Sequence, residues 1–112
     1  MALTRDFRIT IAERAKREPA FAEALMQEAM SLLFKEPETA RLILRDLVNA
    51  TVGFEELAKV TDTPPKSLHR MLSASGNPTQ GKLVAIVDAL TNALQLVLDV
   101  KVKKMPQKVA MG

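Results

Sequence analysis

The sequence predicts a mostly α-helical fold, a bundle of five to six helices followed by one C-terminal β-strand. Three observations support this prediction. Apolar side chains recur at helical spacing through most of residues 1–94. Pro19 and Pro37 stand where helices would begin. From Gln95 the apolar spacing changes to the two-residue period of a half-buried strand.

Residues 1–52 are expected to form the N-terminal helices of a single domain that covers residues 1–112. The first helix ends near Lys16. The second and third begin at Pro19 and Pro37, since the first turn of a helix tolerates a missing N–H. The third has the clearest stripe of apolar side chains, at Ala40, Ile43, Leu44, Leu47 and Val48.

Residues 53–94 are expected to hold two short helices and a longer one, and residues 54–78 are the most informative part of the chain. A tight turn near Asp62 requires a residue that tolerates positive φ, and Asp does so better than most. Leu68, Met71 and Leu72 form the inward face of the second short helix. Its outward face carries Lys66, Ser67, His69, Arg70 and Ser73. This arrangement is typical of a helix-turn-helix, whose second helix enters the DNA major groove.

The start of that second helix carries an unusual pair of prolines. Thr63 is expected to cap the helix, with Pro64 at its first position. Pro64 and Pro65 both lack the N–H groups that a helix N-terminus would offer to a phosphate. We therefore expect lysine side chains to carry more of the contact with the DNA backbone.

Several segments resemble a known family. Residues 57–58 (Leu-Ala), 61–63 (Thr-Asp-Thr) and 68–72 (Leu-His-Arg-Met-Leu) resemble the helix-turn-helix of phage repressors. Residues 72–79, Leu-Ser-Ala-Ser-Gly-Asn-Pro-Thr, look more specifically like the antidote (antitoxin) regulators of bacterial addiction modules. In that family a Leu-Ser-x-x-Gly-Asn-Pro turn leads into an apolar helix and a terminal strand. The resemblance covers roughly residues 36–103.

The resemblance implies a transcriptional regulator, a dimeric repressor that binds a palindromic operator on double-stranded DNA. It also implies a second partner, a small toxin protein with ribonuclease activity that is encoded beside it. The chain departs from the family pattern at the turn, where Asp62 replaces the usual Gly, and at Pro64 and Pro65, which replace a polar pair. The segment before residue 36 is also longer than in a minimal antidote.

The candidate DNA contacts follow from side-chain chemistry. Lys66 and Arg70 are four residues apart on one face, and a Lys or Arg can pair with guanine O6 and N7. Ser67 beside them can donate or accept a hydrogen bond. The full candidate set is Lys66, Ser67, His69, Arg70, Ser73 and Lys82. The alternative is an ordinary polar outer face of a helix.

The charge distribution favours the same half of the chain. The protein has a formal net charge of +3 and a pI near 9.5. Residues 1–50 balance eight basic against eight acidic side chains, whereas residues 64–112 hold seven basic and only two acidic ones. A basic half that contains the second short helix is consistent with nucleic-acid binding. The alternative is a solvated basic tail.

Residues 95–103 are predicted to form the strand, with Leu96, Leu98, Val100 and Val102 on its buried face. Since the chain offers no second strand, we expect it to pair with the same strand of a second copy in a homodimer. The alternatives are that the segment extends the preceding helix or packs as coil. Residues 104–112 are expected to be a flexible tail. The lysines near the C-terminal end of the strand, Lys101, Lys103 and Lys104, are candidates for phosphate contacts.

Composition argues against several other functions. Without cysteine, the chain has no thiolate chemistry or disulfide, which fits a cytoplasmic location. A single His gives no metal site, scattered glycines give no phosphate loop, and four Phe are too few for a stacking platform. We expect no secretory signal, no membrane span, no cofactor and no enzymatic activity. The alternative function is a protein-interaction module, toxin-neutralising or adaptor, with weak or no DNA binding.

Overall fold

The structure is a computed structural model that describes the backbone of residues 5–107 and the side chains of residues 9–107. Residues 1–4 and 108–112, the latter part of the predicted tail, lie outside the described residues. The described chain folds into six α-helices, which confirms the mostly α-helical prediction. They are α1 Arg5–Arg17, α2 Pro19–Leu32, α3 Pro37–Ala50, α4 Gly53–Thr61, α5 Pro65–Met71 and α6 Gln80–Leu94. None of them is both long and apolar enough to cross a membrane.

Local signals set several of these helix ends. Pro19 and Pro37 occupy the first turns of α2 and α3, as predicted, where no N–H is needed. Thr79 caps α6, because its hydroxyl accepts a hydrogen bond of 3.2 Å from the backbone N–H of Lys82.

The turn between α4 and α5 has the predicted backbone conformation. Asp62 ends α4 in the left-handed region, with φ 50° and ψ 48°. The N–H of Thr63 then donates to the carbonyl of Ala58 at 3.0 Å, which closes the end of the helix. The hydroxyl of Thr61 donates to the carbonyl of Leu57 at 2.7 Å. These bonds fix the direction in which the chain leaves α4.

The predicted cap of α5 is wrong. Pro64, not Thr63, is the N-cap residue, and no side chain caps the helix. The hydroxyl of Thr63 instead donates to the carbonyl of Thr61 at 2.9 Å and accepts from the ammonium of Lys82 at 2.7 Å. Thr63 is buried, with 6% of its surface exposed, so its hydroxyl serves these two bonds inside the turn.

One hydrophobic core joins the N-terminal helices to α4 and α5. Helices α1, α2 and α3 pack on one another, and α6 contacts α2, α3 and α4. The largest fully buried side chains come from five of the six helices and the residue after α5; they are Met26, Leu44, Leu47, Val48, Leu57, Leu68, Leu72, Ile86 and Leu90. Leu68 and Leu72 therefore anchor the α5 region in a core that residues far away in the sequence help to build.

The predicted C-terminal strand is wrong. Gln95 ends α6 in the left-handed region, with φ 59° and ψ 43°, and no strand is present from there to residue 107. A strand needs a neighbour for its backbone N–H and C=O groups, and the described residues contain no other strand. The segment packs as coil, so strand pairing across a dimer is not seen.

Candidate nucleic-acid interface

The outer face of α5 gathers the predicted base-reading side chains. Lys66, His69 and Arg70 are exposed, and because His69 and Arg70 follow Lys66 by three and four residues, they lie on the same side of the helix as Lys66. Ser67 is half-buried beside them. On the opposite face Leu68 is fully buried. The arrangement can present two cationic side chains and an imidazole to a groove while the core holds the helix from behind.

Ser73 is a predicted site residue that lies two positions beyond the end of α5. Its hydroxyl donates a hydrogen bond of 2.8 Å to the carbonyl of Arg70, and its N–H donates to the same carbonyl at 3.2 Å. The side chain is half-buried. In this position Ser73 serves the end of the helix, because its hydroxyl proton is already donated to the backbone.

His69 has an aromatic neighbour that the sequence did not reveal. Its ring stacks on the ring of Phe54, with the centroids 3.8 Å apart and the planes 18° from parallel. Phe54 is buried, with 7% exposure, in the first turn of α4. One face of the imidazole is therefore covered, and only the outer face and the edges of the ring are open to a ligand. The contact also ties α5 to α4.

Lys82 does not extend toward the face of α5. Its ammonium donates to the hydroxyl of Thr63 at 2.7 Å and approaches the carbonyl of Thr61 at 3.4 Å. Lys82 lies in the first turn of α6 and is half-buried. Of the six predicted contact residues, it is the one whose charged group faces the inside of the turn.

Arg41 is a residue of this region that the sequence analysis missed. Its guanidinium donates from Nε to the carbonyl of Ser73 at 3.0 Å and from Nη2 to the carbonyl of Ala74 at 2.7 Å. Arg41 belongs to α3, and these acceptors follow the end of α5. An Arg within an amphipathic helix gives no sequence signal for such a long-range contact, since the partners are 32 and 33 residues away.

Gly76 allows the chain to pass close to the end of α5. A Cβ atom at this position would clash with the carbonyl group of Met71 and lie 2.6 Å from the carbonyl oxygen of Arg70. The N–H of Gly76 donates to the carbonyl of Ser73 at 3.0 Å. The Gly in the Gly-Asn-Pro element is thus explained by close approach of backbone to backbone.

The predicted dimerisation residues differ widely in exposure. Leu96 is half-buried and packs against the core of its own chain. Leu98 is 45% exposed, Val100 81% and Val102 96%. The structure therefore assigns Leu96 to the monomer and leaves the other apolar side chains on the surface.

Two apolar grooves lie beside the C-terminal segment. The larger, of about 580 Å³, runs between the end of α2, α6 and residues 96–98, and Met30, Leu33, Val84 and Val87 are among its lining residues. The second, of about 460 Å³, lies between α2 and residues 96–101. Lys101 therefore lies along α2, and the described contacts do not bring it together with Lys66 and Arg70.

Comparison with protein-family models, with curated proteins and with solved structures found no match to this chain.

Proposed function

We propose that this protein is a sequence-specific DNA-binding transcriptional regulator, a repressor of the addiction-module antidote type acting in the bacterial cytoplasm. The observation that carries the proposal is the geometry of α4 and α5. A left-handed turn at Asp62 joins two short helices, and the second has a buried Leu68 below an exposed face with Lys66 and Arg70.

Electrostatics supports the same function. Lys66 and Arg70 are exposed, and residues 63–87 contain no acidic residue. Positive charge on the element that would enter the groove favours association with phosphate-rich duplex DNA. The Arg side chain adds the two parallel donors that suit the O6 and N7 atoms of guanine.

Arg70→Ala tests the assignment of base readout. We expect affinity for a duplex selected from a randomised pool to fall by about 1–3 kcal/mol, with relaxed preference at one base position. Binding to a scrambled duplex should change little, since non-specific affinity comes from phosphate contacts. Binding titrations on both duplexes at several salt concentrations measure the two effects. Equal losses on both duplexes would remove Arg70 from the readout.

Two lysine variants serve as controls for the Arg70 titrations. Lys103→Ala should weaken selected and scrambled duplexes alike, and make the log–log salt slope shallower by about one unit, if Lys103 contacts a phosphate. Lys35→Ala, an exposed lysine between α2 and α3, should leave both affinities unchanged. The same titrations test the whole proposal, because a wild-type protein that retards no selected duplex is not such a regulator.

The regulator is proposed to act as a homodimer, with one recognition helix for each half-site. The support is a set of exposed apolar side chains in residues 97–102, which are Val97, Leu98, Val100 and Val102, and the proposed contact involves no strand pairing. Sedimentation equilibrium at micromolar concentration should give a dimer for the wild type and more monomer for Val100→Lys. Val60→Lys places the same charge on an exposed valine of α4 and should leave the dimer intact. A monomeric wild type would contradict this part of the proposal.

The second candidate function is a protein-interaction module, toxin-neutralising or adaptor. The larger groove and the side chain of Phe34, which is 86% exposed at its edge, favour it. The two functions differ in one result. A regulator binds duplex DNA with steep salt dependence, whereas a pure interaction module does not.

A further inference from the structure

Helix α5 has few stabilising features within its own sequence. It has seven residues, and helices much shorter than about 12–15 residues are marginal on their own. No side chain caps its N-terminus, where Pro64 and Pro65 also remove two N–H groups. Its orientation therefore depends on contacts from other parts of the fold.

Two cationic side chains from outside the helix-turn-helix make such contacts, one at each end of α5. Before the helix, Lys82 of α6 donates to the hydroxyl of Thr63 at 2.7 Å. After the helix, Arg41 of α3 donates to the carbonyls of Ser73 and Ala74 at 3.0 and 2.7 Å. We refer to these contacts as the N-terminal clamp and the C-terminal clamp.

The chemistry of each clamp suits its place. Lys82 reaches the hydroxyl of Thr63 from inside the protein. Since Thr63 is only 6% exposed, a large ligand cannot reach the same hydroxyl. The carbonyls after α5 lie at the negative end of the helix dipole, where a cation is favourable. The planar guanidinium of Arg41 has two nitrogens that donate to two successive carbonyls. A lysine ammonium has a single nitrogen and does not reproduce this pair of bonds.

We propose that Lys82 and Arg41 are positioning residues for DNA readout. They hold α5 at both ends and do not contact the DNA phosphates. The inference rests on the proposed function. Readout of base edges requires side chains held to a fraction of an ångström, whereas non-specific binding needs only positive charge near the backbone. Loss of a clamp therefore lowers the affinity for the selected duplex but leaves the affinity for scrambled DNA unchanged.

Lys82→Met and Thr63→Val test the N-terminal clamp from both sides. Each removes the same charge-assisted hydrogen bond, and Thr63→Val does so without changing any charge. We expect each variant to lose roughly tenfold in affinity for the selected duplex, with an unchanged salt slope. The double variant should lose much less than the sum of the two single losses, because both changes break the shared Lys82–Thr63 bond and differ only in their bonds to the carbonyl of Thr61. A salt slope shallower by about one unit for Lys82→Met, with equal losses on both duplexes, would make Lys82 a phosphate contact and overturn the proposal.

Arg41→Lys tests the C-terminal clamp, since it keeps the charge and loses the two-acceptor geometry. We expect selective loss on the selected duplex, about tenfold, at an unchanged salt slope. The matched control is Arg45→Lys, about one turn further along α3, which should keep both affinities. Full affinity in Arg41→Lys would overturn the C-terminal clamp.

A measurement on the free protein separates this inference from the proposed function. Exchange of the Leu68 backbone N–H, which bonds to the carbonyl of Pro64 at 3.1 Å, should be faster in Thr63→Val and Arg41→Lys than in the wild type. If the wild type binds no DNA but exchange responds in this way, the proposed function fails, and the clamps act on α5 without a role in readout. If the wild type binds the selected duplex preferentially but exchange is unchanged in both variants, the positioning role is wrong while the proposed function stands.

Discussion

Leu68→Ala is expected to lower the free energy of unfolding by about 2–5 kcal/mol. Leu68 is the inward residue of α5 and is fully buried in the core that α2, α3, α4 and α6 share. Truncation leaves a cavity that these helices cannot close without moving. Since a domain of this kind has about 5–15 kcal/mol of total stability, the loss is a large fraction of it. Urea denaturation at equilibrium, followed by circular dichroism, measures the change.

Val60→Ala is the control, because it truncates a branched apolar side chain that is 61% exposed and lies outside the proposed dimer surface. We expect its effect to be much smaller, as less apolar surface leaves a buried environment. Overlapping unfolding curves for Leu68→Ala and the wild type would mean that α5 does not pack on the core as described. DNA binding by Leu68→Ala should be measured below its melting transition, so that unfolding is not mistaken for lost contacts.

Gly76→Ala is expected to destabilise the protein by about 1–3 kcal/mol, although it adds only one methyl group. The added Cβ would clash with the carbonyl group of Met71 and lie 2.6 Å from the carbonyl oxygen of Arg70. Both obstacles are backbone atoms, so a change of side-chain rotamer cannot relieve them. The end of α5 must shift, and Arg70 shifts with it. We therefore expect a lower melting temperature together with weaker binding to the selected duplex.

Gly81→Ala provides a control of opposite sign. Gly81 lies in the first turn of α6, and a Cβ there would meet no atom within 4 Å. Alanine reduces the conformational freedom of the unfolded chain and suits a helix, so a gain of up to about 0.5–1 kcal/mol is expected. Equal effects of the two substitutions in thermal melts would show that close approach at Gly76 is not the reason for a glycine there.

Much of the helical framework could be predicted from the sequence. Pro19 and Pro37 begin helices because of their own backbone chemistry, and Thr79 caps α6 through an atom three residues away. The left-handed conformation of Asp62 could be predicted because a tight turn between two short helices requires a residue with positive φ, which Asp tolerates. These signals act within one turn of helix, so a linear pattern is sufficient to detect them.

The alternating pattern after Gln95 misled the prediction of a strand. Alternation shows that every second side chain prefers an apolar surface, but it does not say which surface provides it. Leu96 packs against the core of its own chain, and residues 96–101 lie along α2 as coil. A β-ladder also requires a second strand, and none is present in residues 5–107.

The sequence by itself determined the helices, the left-handed turn and the set of polar residues that share the outer face of α5. The tertiary structure decided which of the neighbouring charges are directed inward. Lys82 and Arg41 look like surface cations in the sequence, yet their hydrogen bonds reach acceptors 19 and 32 residues away. The stacking of His69 on Phe54 likewise crosses between two helices. Such contacts depend on how the helices pack around the shared core, and periodicity within one helix carries no information about that packing.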